Sequence, residues 1–217
     1  MPELLPVTFH FDPACPWAWM TSRWMSEVAE HRDLDLTWAL MSLRYLNEDR
    51  DIDQGYRDFI ATRQDLSGAI AAAVLRDGPQ VAAPLYTAIG TRVHPAGRRD
   101  YDAIIADAFA EAAVTPVSQA EIDADATQAL LREGTAAVIA KVGEDVGTPT
   151  IDIDGAAMFG PVVTPAPKGQ AALDLWDGLV LVTRTPGFYE LKRSRTDDPI
   201  FETAEAEGRT VLVETML

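Results

Sequence analysis

Cys15 is the only cysteine in the 217 residues, which rules out an intramolecular disulfide and any zinc site built from several thiolates. It stands in Asp12-Pro13-Ala14-Cys15-Pro16, a turn that opens a helix, because proline is favoured at the first helical position, where its missing N–H is no loss. A thiol at that point faces unpaired backbone N–H groups and the positive end of the helix dipole, both of which favour the thiolate. Reactive cysteines in such places have pKa values of about 3.5 to 7.5, against about 8.5 for a free side chain. The spacing therefore predicts a nucleophile with a lowered pKa. The alternative is an inert cysteine buried as a small hydrophobe, a common fate of the residue.

The elements around it follow from pattern. Residues 6–11 alternate in polarity and read as a strand. Trp17, Met20, Trp24 and Val28 recur at helical spacing, and His31-Arg32-Asp33 ends that helix. Residues 34–43 read as a second strand, parallel to the first. From about 47 to 143 the pattern is alanine-rich and helical, with one-faced stripes such as Tyr101, Ile104, Ile105, Ala108, Phe109 and Ala112. A strand starts after Pro149, and Asp154-Gly155 marks a type I′ hairpin with residues 156–159 as its antiparallel partner. A closing helix is expected over 168–182, with one or two further helical turns over 188–195. Trp19, Trp24, Trp38 and Trp176 read as core.

Without the helical block the order is β-α-β, then β-β-α. The expected fold is α/β: a thioredoxin-like domain with an inserted α-helical domain, as in DsbA-like proteins. Residues 1–46 and 144–195 supply the thioredoxin-like part, 47–143 the insertion and 196–217 a tail. By itself, a proline opening a strand reads as an ordinary trans residue at a sheet edge. In a thioredoxin-like frame Pro149 is instead cis and sets the backbone of Thr148 beside the sulfur, where it can pair with a substrate or a thiol cofactor.

Several segments resemble the actinobacterial mycothiol-dependent nitroreductase family, which is DsbA-like. They include Phe11-Asp12-Pro13-Ala14-Cys15-Pro16-Trp17, Met41-Ser42-Leu43, Leu46-Asn47-Glu48, Val146-Gly147-Thr148-Pro149-Thr150, Phe159-Gly160-Pro161-Val162 and Glu190-Leu191-Lys192-Arg193. The resemblance implies a cytoplasmic homodimer that draws electrons from mycothiol and reduces nitro compounds. It implies Cys15 as the nucleophile, Thr148 and Pro149 as the cis-proline pair, and Trp17 as an aromatic wall beside the sulfur. Pro16 and Ala18 complete the motif, while Asn47, Tyr56 and His94 fall where polar pocket residues are expected. Bland roles stand beside these three: a helix cap for Asn47, packing for Tyr56 and a helix end for His94.

One departure bears on chemistry. The family motif is Cys-Pro-Trp-Cys, whereas this chain reads Cys15-Pro16-Trp17-Ala18. Without the second sulfur an internal dithiol cycle is closed, and a monothiol cycle with an external small thiol remains. Two other readings stay open. One is a thiol transferase or isomerase resembling the kappa-class glutathione transferases, in which a bound thiol does the chemistry. The other is a redox-inactive module that binds a small ligand.

Composition narrows the partners. With 18 basic against 34 acidic residues the formal charge is −16, and the surface repels polyanions, so nucleic acid is not an expected partner. No leader or membrane-spanning segment is read from the pattern, which places the chain in the cytoplasm and off the membrane. The acidic stretches at 49–53 and 197–198 lack an ordered ligand spacing, and no metal site is inferred. Residues 209–217 alternate and could form a terminal strand, dock on a partner subunit or stay disordered.

Overall fold

β1 (Leu5–Phe11) carries Val7, Phe9 and Phe11 on one face, all buried, and Thr8 and His10 on the other, as the two-residue period of a strand requires. The structure is a computed structural model and describes residues 4–202. β1 pairs in parallel with β2 (Leu34–Leu40), setting Phe9 beside Trp38 and Phe11 beside Leu40. Its other edge is antiparallel to β3 (Thr150–Ile153), which is antiparallel in turn to β4 (Ala156–Phe159). The order β2-β1-β3-β4 puts β1 and β3 at the centre. The β3–β4 turn uses positive φ at both Asp154 (54°) and Gly155 (87°), as a type I′ hairpin demands.

α1 (Pro16–Ala29) begins at proline and buries Trp19, Met20, Trp24, Met25 and Val28. It packs on α9 (Gly169–Thr183) through Trp24 and Trp176, whose ring centres are 6.2 Å apart, and the Trp24 indole N–H donates to the Ala172 carbonyl at 2.9 Å. Truncating a core tryptophan of this kind costs about 3–5 kcal/mol.

Between β2 and β3 the chain runs, among the described residues, through seven helices and a 3-10 turn. They are α2 (Leu43–Leu46), α3 (Gln54–Ala61), α4 (Gln64–Asp77), α5 (Ala82–Val93), α6 (Tyr101–Glu111), α7 (Gln119–Ile122) and α8 (Asp125–Val142). α8 returns to the sheet on the face that bears His10, Thr150 and Asp152, where Lys141 pairs with Asp152. The opposite face meets α5, whose Tyr86 stacks on Phe11 with centroids 3.9 Å apart.

Some expected bounds shift. β2 stops at Leu40, and Leu43 begins α2 instead of extending the strand. β3 starts at Thr150, directly after Pro149 as expected. Residues 188–195 form no helix: Tyr189 and Leu191 are 89% and 85% exposed, so no apolar face of that segment has a surface on which a helix could be stabilised. The alternating stretch 209–217 lies outside the described residues.

Gly90 on α5 lies against Trp19 of α1. A Cβ there would meet Cε3 and Cζ3 of Trp19 at 2.2 Å, and the Trp19 ring is hemmed in by Tyr86, His94 and Arg23. Gly90→Ala gains ~1 kcal/mol of helix propensity, whereas an overpacked core loses about 1–3 kcal/mol and sometimes more. The clash dominates, so a lower urea midpoint and a changed near-UV signal from Trp19 are expected.

Candidate active site

Cys15 is the N-cap of α1. Its Sγ accepts the Ala18 N–H at 3.4 Å and donates to the Thr148 carbonyl at 3.4 Å, across 133 residues of sequence. The Thr148–Pro149 bond is cis. The sulfur, Ala18, Thr148 and Pro149 thus meet at one point, where the α1 mouth faces the start of β3, with Pro16 at the first helical position.

Asp12 sets this geometry. It is 4% exposed; Oδ1 accepts the Ala14 N–H at 2.8 Å and the Ser67 hydroxyl at 3.2 Å, and Oδ2 accepts the Leu43 N–H at 2.7 Å. One carboxyl therefore closes the turn before Cys15 and fastens it to α2 and α4. Burial pushes its pKa up against these three hydrogen bonds. In the sequence Asp12 stands out only as part of the turn; an Asp at a strand end that bonds the N–H two residues on is the local signal, but Leu43 and Ser67 are long-range partners.

The lowered Cys15 pKa expected from sequence does not hold in this resting arrangement. Cys15 is 7% exposed and belongs to the apolar core. Burial pushes the thiol up; the Ala18 N–H pulls it down, while the nearby Asp12 adds to the rise. The helix-mouth donors are present as expected, but loss of hydration outweighs them. The Thr148 hydroxyl is buried and has no hydrogen-bond partner among the described residues, which leaves it available to a thiolate.

The other expected site residues divide. Trp17 is half-buried next to the sulfur, and the Arg195 guanidinium lies 4.9 Å from its ring centre. Tyr56 on α3 is 39% exposed and stacks on Phe59; burial, then Cys15 and Asp12, push its phenol up to about 12, placing it within electrostatic reach of the sulfur. The Asn47 amide donates to the Leu43 carbonyl at 2.7 Å at the end of α2. His94 caps α5 and its Nε2–H donates to the Pro13 carbonyl at 3.0 Å, so it holds the turn two residues before Cys15. Burial lowers its pKa to about 3 and keeps the ring neutral; the Pro13 bond opposes this, and Arg99, Arg63 and Arg23 add to it.

The chain after α9 crosses the site. Arg195 covers Trp17, the Ile200 N–H donates to the Thr164 hydroxyl at 2.7 Å, and Phe201 is buried with its ring 5.7 Å from that of His94. Sequence patterning does not show this crossing, because its contacts are single residues in an irregular segment. No group of three or more potential metal-ligating side chains occurs among the described residues, and none of their helices is long and apolar enough to cross a membrane.

Residues 14–193 match the family of the mycothiol-dependent nitroreductase Rv2466c. The chain belongs to this family. "Uncharacterized protein Rv2286c" of Mycobacterium tuberculosis (strain ATCC 25618 / H37Rv) is 30% identical over an alignment of 203 positions that covers 88% of this chain and 82% of that one. Among solved structures, a putative protein disulfide isomerase from Nitrosomonas europaea superposes with TM-score 0.53 at 12% identity, covering 82% of this chain and 98% of that one. The cytosolic disulfide reductase DsbM from Pseudomonas aeruginosa with GSH gives TM-score 0.53 at 17% identity, with 81% and 100% covered. The fold is the DsbA-like thioredoxin fold anticipated from the element order, and the family is one of mycothiol-dependent thiol oxidoreductases.

Two outcomes follow from the buried site. The rate of Cys15 alkylation by a small neutral reagent should have its pH midpoint above that of a free cysteine thiol; a midpoint below neutrality contradicts the buried geometry. For His94, the unfolded ring titrates near 6.5 and the folded one near 3, so across that window the unfolded state binds more protons and stability falls as pH falls. His10, lowered by burial to about 4, acts in the same sense. Each contributes at most ~1.4 kcal/mol per pH unit. Urea unfolding between pH 6.5 and 5 should show a shallower decline in His94→Gln than in the unaltered chain.

Proposed function

We propose that the protein is a cytoplasmic thiol oxidoreductase that turns over Cys15 in a monothiol cycle with mycothiol as the external reductant. The observation that carries this reading is the sulfur at the mouth of α1, bonded to Ala18 N–H on one side and facing Thr148 on the other, in a chain of a mycothiol-dependent family. The Cys15 thiolate attacks one sulfur of a disulfide RS–SR′. The old S–S bond breaks, Cys15–S–SR forms, and R′S⁻ leaves and takes up a proton. Mycothiol then attacks the R sulfur, forming a mixed disulfide with R and returning Cys15. With Ala18 two residues beyond Pro16, no second sulfur on the first turn can resolve the adduct, and the external thiol must do so. Reduction of a nitro group to nitroso likewise consumes two mycothiols, releasing mycothiol disulfide and water.

The buried thiol has to ionise for this. Burial is the leading cause that holds its pKa up. Opening the site to water or to a polar thiol lifts that penalty, while the Ala18 N–H and the α1 dipole remain in place to favour the anion. Trp17, Tyr56, Pro16 and the Thr148–Pro149 backbone form the surface on which the two substrates meet. Asn47 and His94 act on it indirectly, by fixing α2 and the turn before Cys15. The helical segment 47–143 supplies these supports and is read as a domain inserted into the thioredoxin-like frame. A homodimer fits the exposed apolar side chains Leu181 (70%), Tyr189 (89%) and Leu191 (85%), which a second copy would cover.

A transferase-like reading, in which bound mycothiol reacts and Cys15 only orients it, is favoured by one observation, the resting burial of the sulfur. The two readings separate by mass. After exposure to mycothiol disulfide the monothiol enzyme should carry one mycothiol per chain on Cys15, removable by mycothiol and absent from Cys15→Ser. Disulfide reductase activity should fall at least ~100-fold in that variant. An unmodified Cys15 with activity retained in Cys15→Ser supports the transferase instead.

A further inference from the structure

We infer that Arg63 and Arg99 form an anion subsite beside the Cys15 turn, which selects substrates carrying a carboxylate or phosphate close to the reacting sulfur. The inference rests on the monothiol reading and adds the substrate class to it.

Arg32, Arg76, Arg92, Arg98 and Arg132 lie within 4.0 Å of a carboxylate; Arg63 and Arg99 are among the arginines that have no such partner among the described residues. Each spends one nitrogen on uncharged oxygens: Arg63 Nη1 donates to the Phe59 carbonyl at 3.0 Å and the Thr62 hydroxyl at 2.9 Å, and Arg99 Nη1 donates to the carbonyls of Val93 and Arg98, both at 2.8 Å. Nε and Nη2 of both remain without hydrogen-bond partners among the described residues. Asp100, adjacent in sequence to Arg99, is held by both arms of Arg98.

The two side chains share one neighbourhood. The Arg63 guanidinium lies 4.0 Å from the Phe59 ring centre and 5.3 Å from that of Tyr101, two residues after Arg99. Arg99 is anchored on Val93, next to His94, which holds Pro13 in the turn before Cys15. On the other side Phe59 stacks on Tyr56, whose phenol feels Cys15. The field of both arginines also reaches the buried His94 ring. A guanidinium held flat by aromatic rings and by a carbonyl is a pre-ordered fork for an oxyanion, and its position within a −16 chain makes it a local exception to a surface that repels anions.

The test compares two aromatic disulfides on the full chain: 5,5′-dithiobis(2-nitrobenzoate), which carries two carboxylates, and uncharged 4,4′-dithiodipyridine. The ratio of their rates with Cys15, anionic over neutral, should fall about tenfold in Arg63→Gln/Arg99→Gln and should fall with added salt in the unaltered chain. The neutral reagent should react within about twofold of its original rate. Arg184→Glu, an equal charge change on an exposed residue at the end of α9, should leave the ratio in place. An unchanged ratio in the double variant, or an equal fall in Arg184→Glu, overturns the subsite. Calorimetric binding of 2-nitrobenzoate to Cys15→Ser, lost when both arginines are replaced, supports the subsite even if neither reagent modifies Cys15; in that case only the redox reading fails. Absence of arginine-dependent binding in that variant counts against the subsite.

Discussion

A single buried carboxyl fixes the reactive end of this molecule. Asp12 holds the Ala14 N–H, the Leu43 N–H and the Ser67 hydroxyl, so the turn that presents Cys15 is bound at once to its own backbone, to the helix that follows β2 and to the inserted helices. An uncompensated carboxylate in such a place costs several kcal/mol, and the rise in its pKa reflects that cost. Removing any one of its partners leaves a buried oxygen under-satisfied, which couples the geometry of the sulfur to the packing of α2 and α4. His94 adds a second tie on the opposite side of the turn through the Pro13 carbonyl. Between these two hydrogen-bonded holds, the position of Sγ opposite Thr148 follows without any covalent staple.

The same enclosure sets the competition at the sulfur. A helix N-terminus favours an anion by about 0.3–1 kcal/mol at an exposed position and up to ~2 kcal/mol when partly buried. Full burial can move a pKa by about 3–5 units, and each unit is ~1.4 kcal/mol. For a cysteine at 7% exposure the second effect is the larger, and the resting group is a thiol that donates to a carbonyl. The helix mouth determines what the sulfur becomes once hydrated. Control of reactivity therefore shifts from the motif to the packing around it, which includes Trp17 with Arg195 over its ring and His94 with Phe201 beside it.

Local features of the chain were legible from its residues. Pro16 marks the start of α1, the Trp17-Met20-Trp24-Val28 spacing marks its buried stripe, and Asp154-Gly155 marks the hairpin. Each depends on interactions within about four residues, the range over which backbone preference and side-chain period act. The identity of Cys15, Thr148 and Pro149 as neighbours came from topology, since only the β-α-β then β-β-α order brings residues 133 positions apart together. What sequence left out has a common cause. The burial of Cys15, the long-range ties of Asp12 and the crossing segment at 195–201 all depend on tertiary neighbours that no local period encodes. Asn47 is a local case: the helix-cap role open to it from sequence is seen in its bond to the Leu43 carbonyl, four residues back.

Ala18 shows how a lost sulfur alters the chemistry while sparing the scaffold. Its backbone N–H still donates to Sγ at 3.4 Å, so the anion-stabilising donor of the first turn survives the side-chain change. Its methyl group is fully buried, so the position stays within the packed core. An adduct on Cys15 in such a site has no internal thiolate to expel it. Its lifetime then depends on access of an external thiol past the packing around the sulfur, and the concentration of that thiol, rather than the geometry of a CxxC turn, becomes the variable that sets turnover.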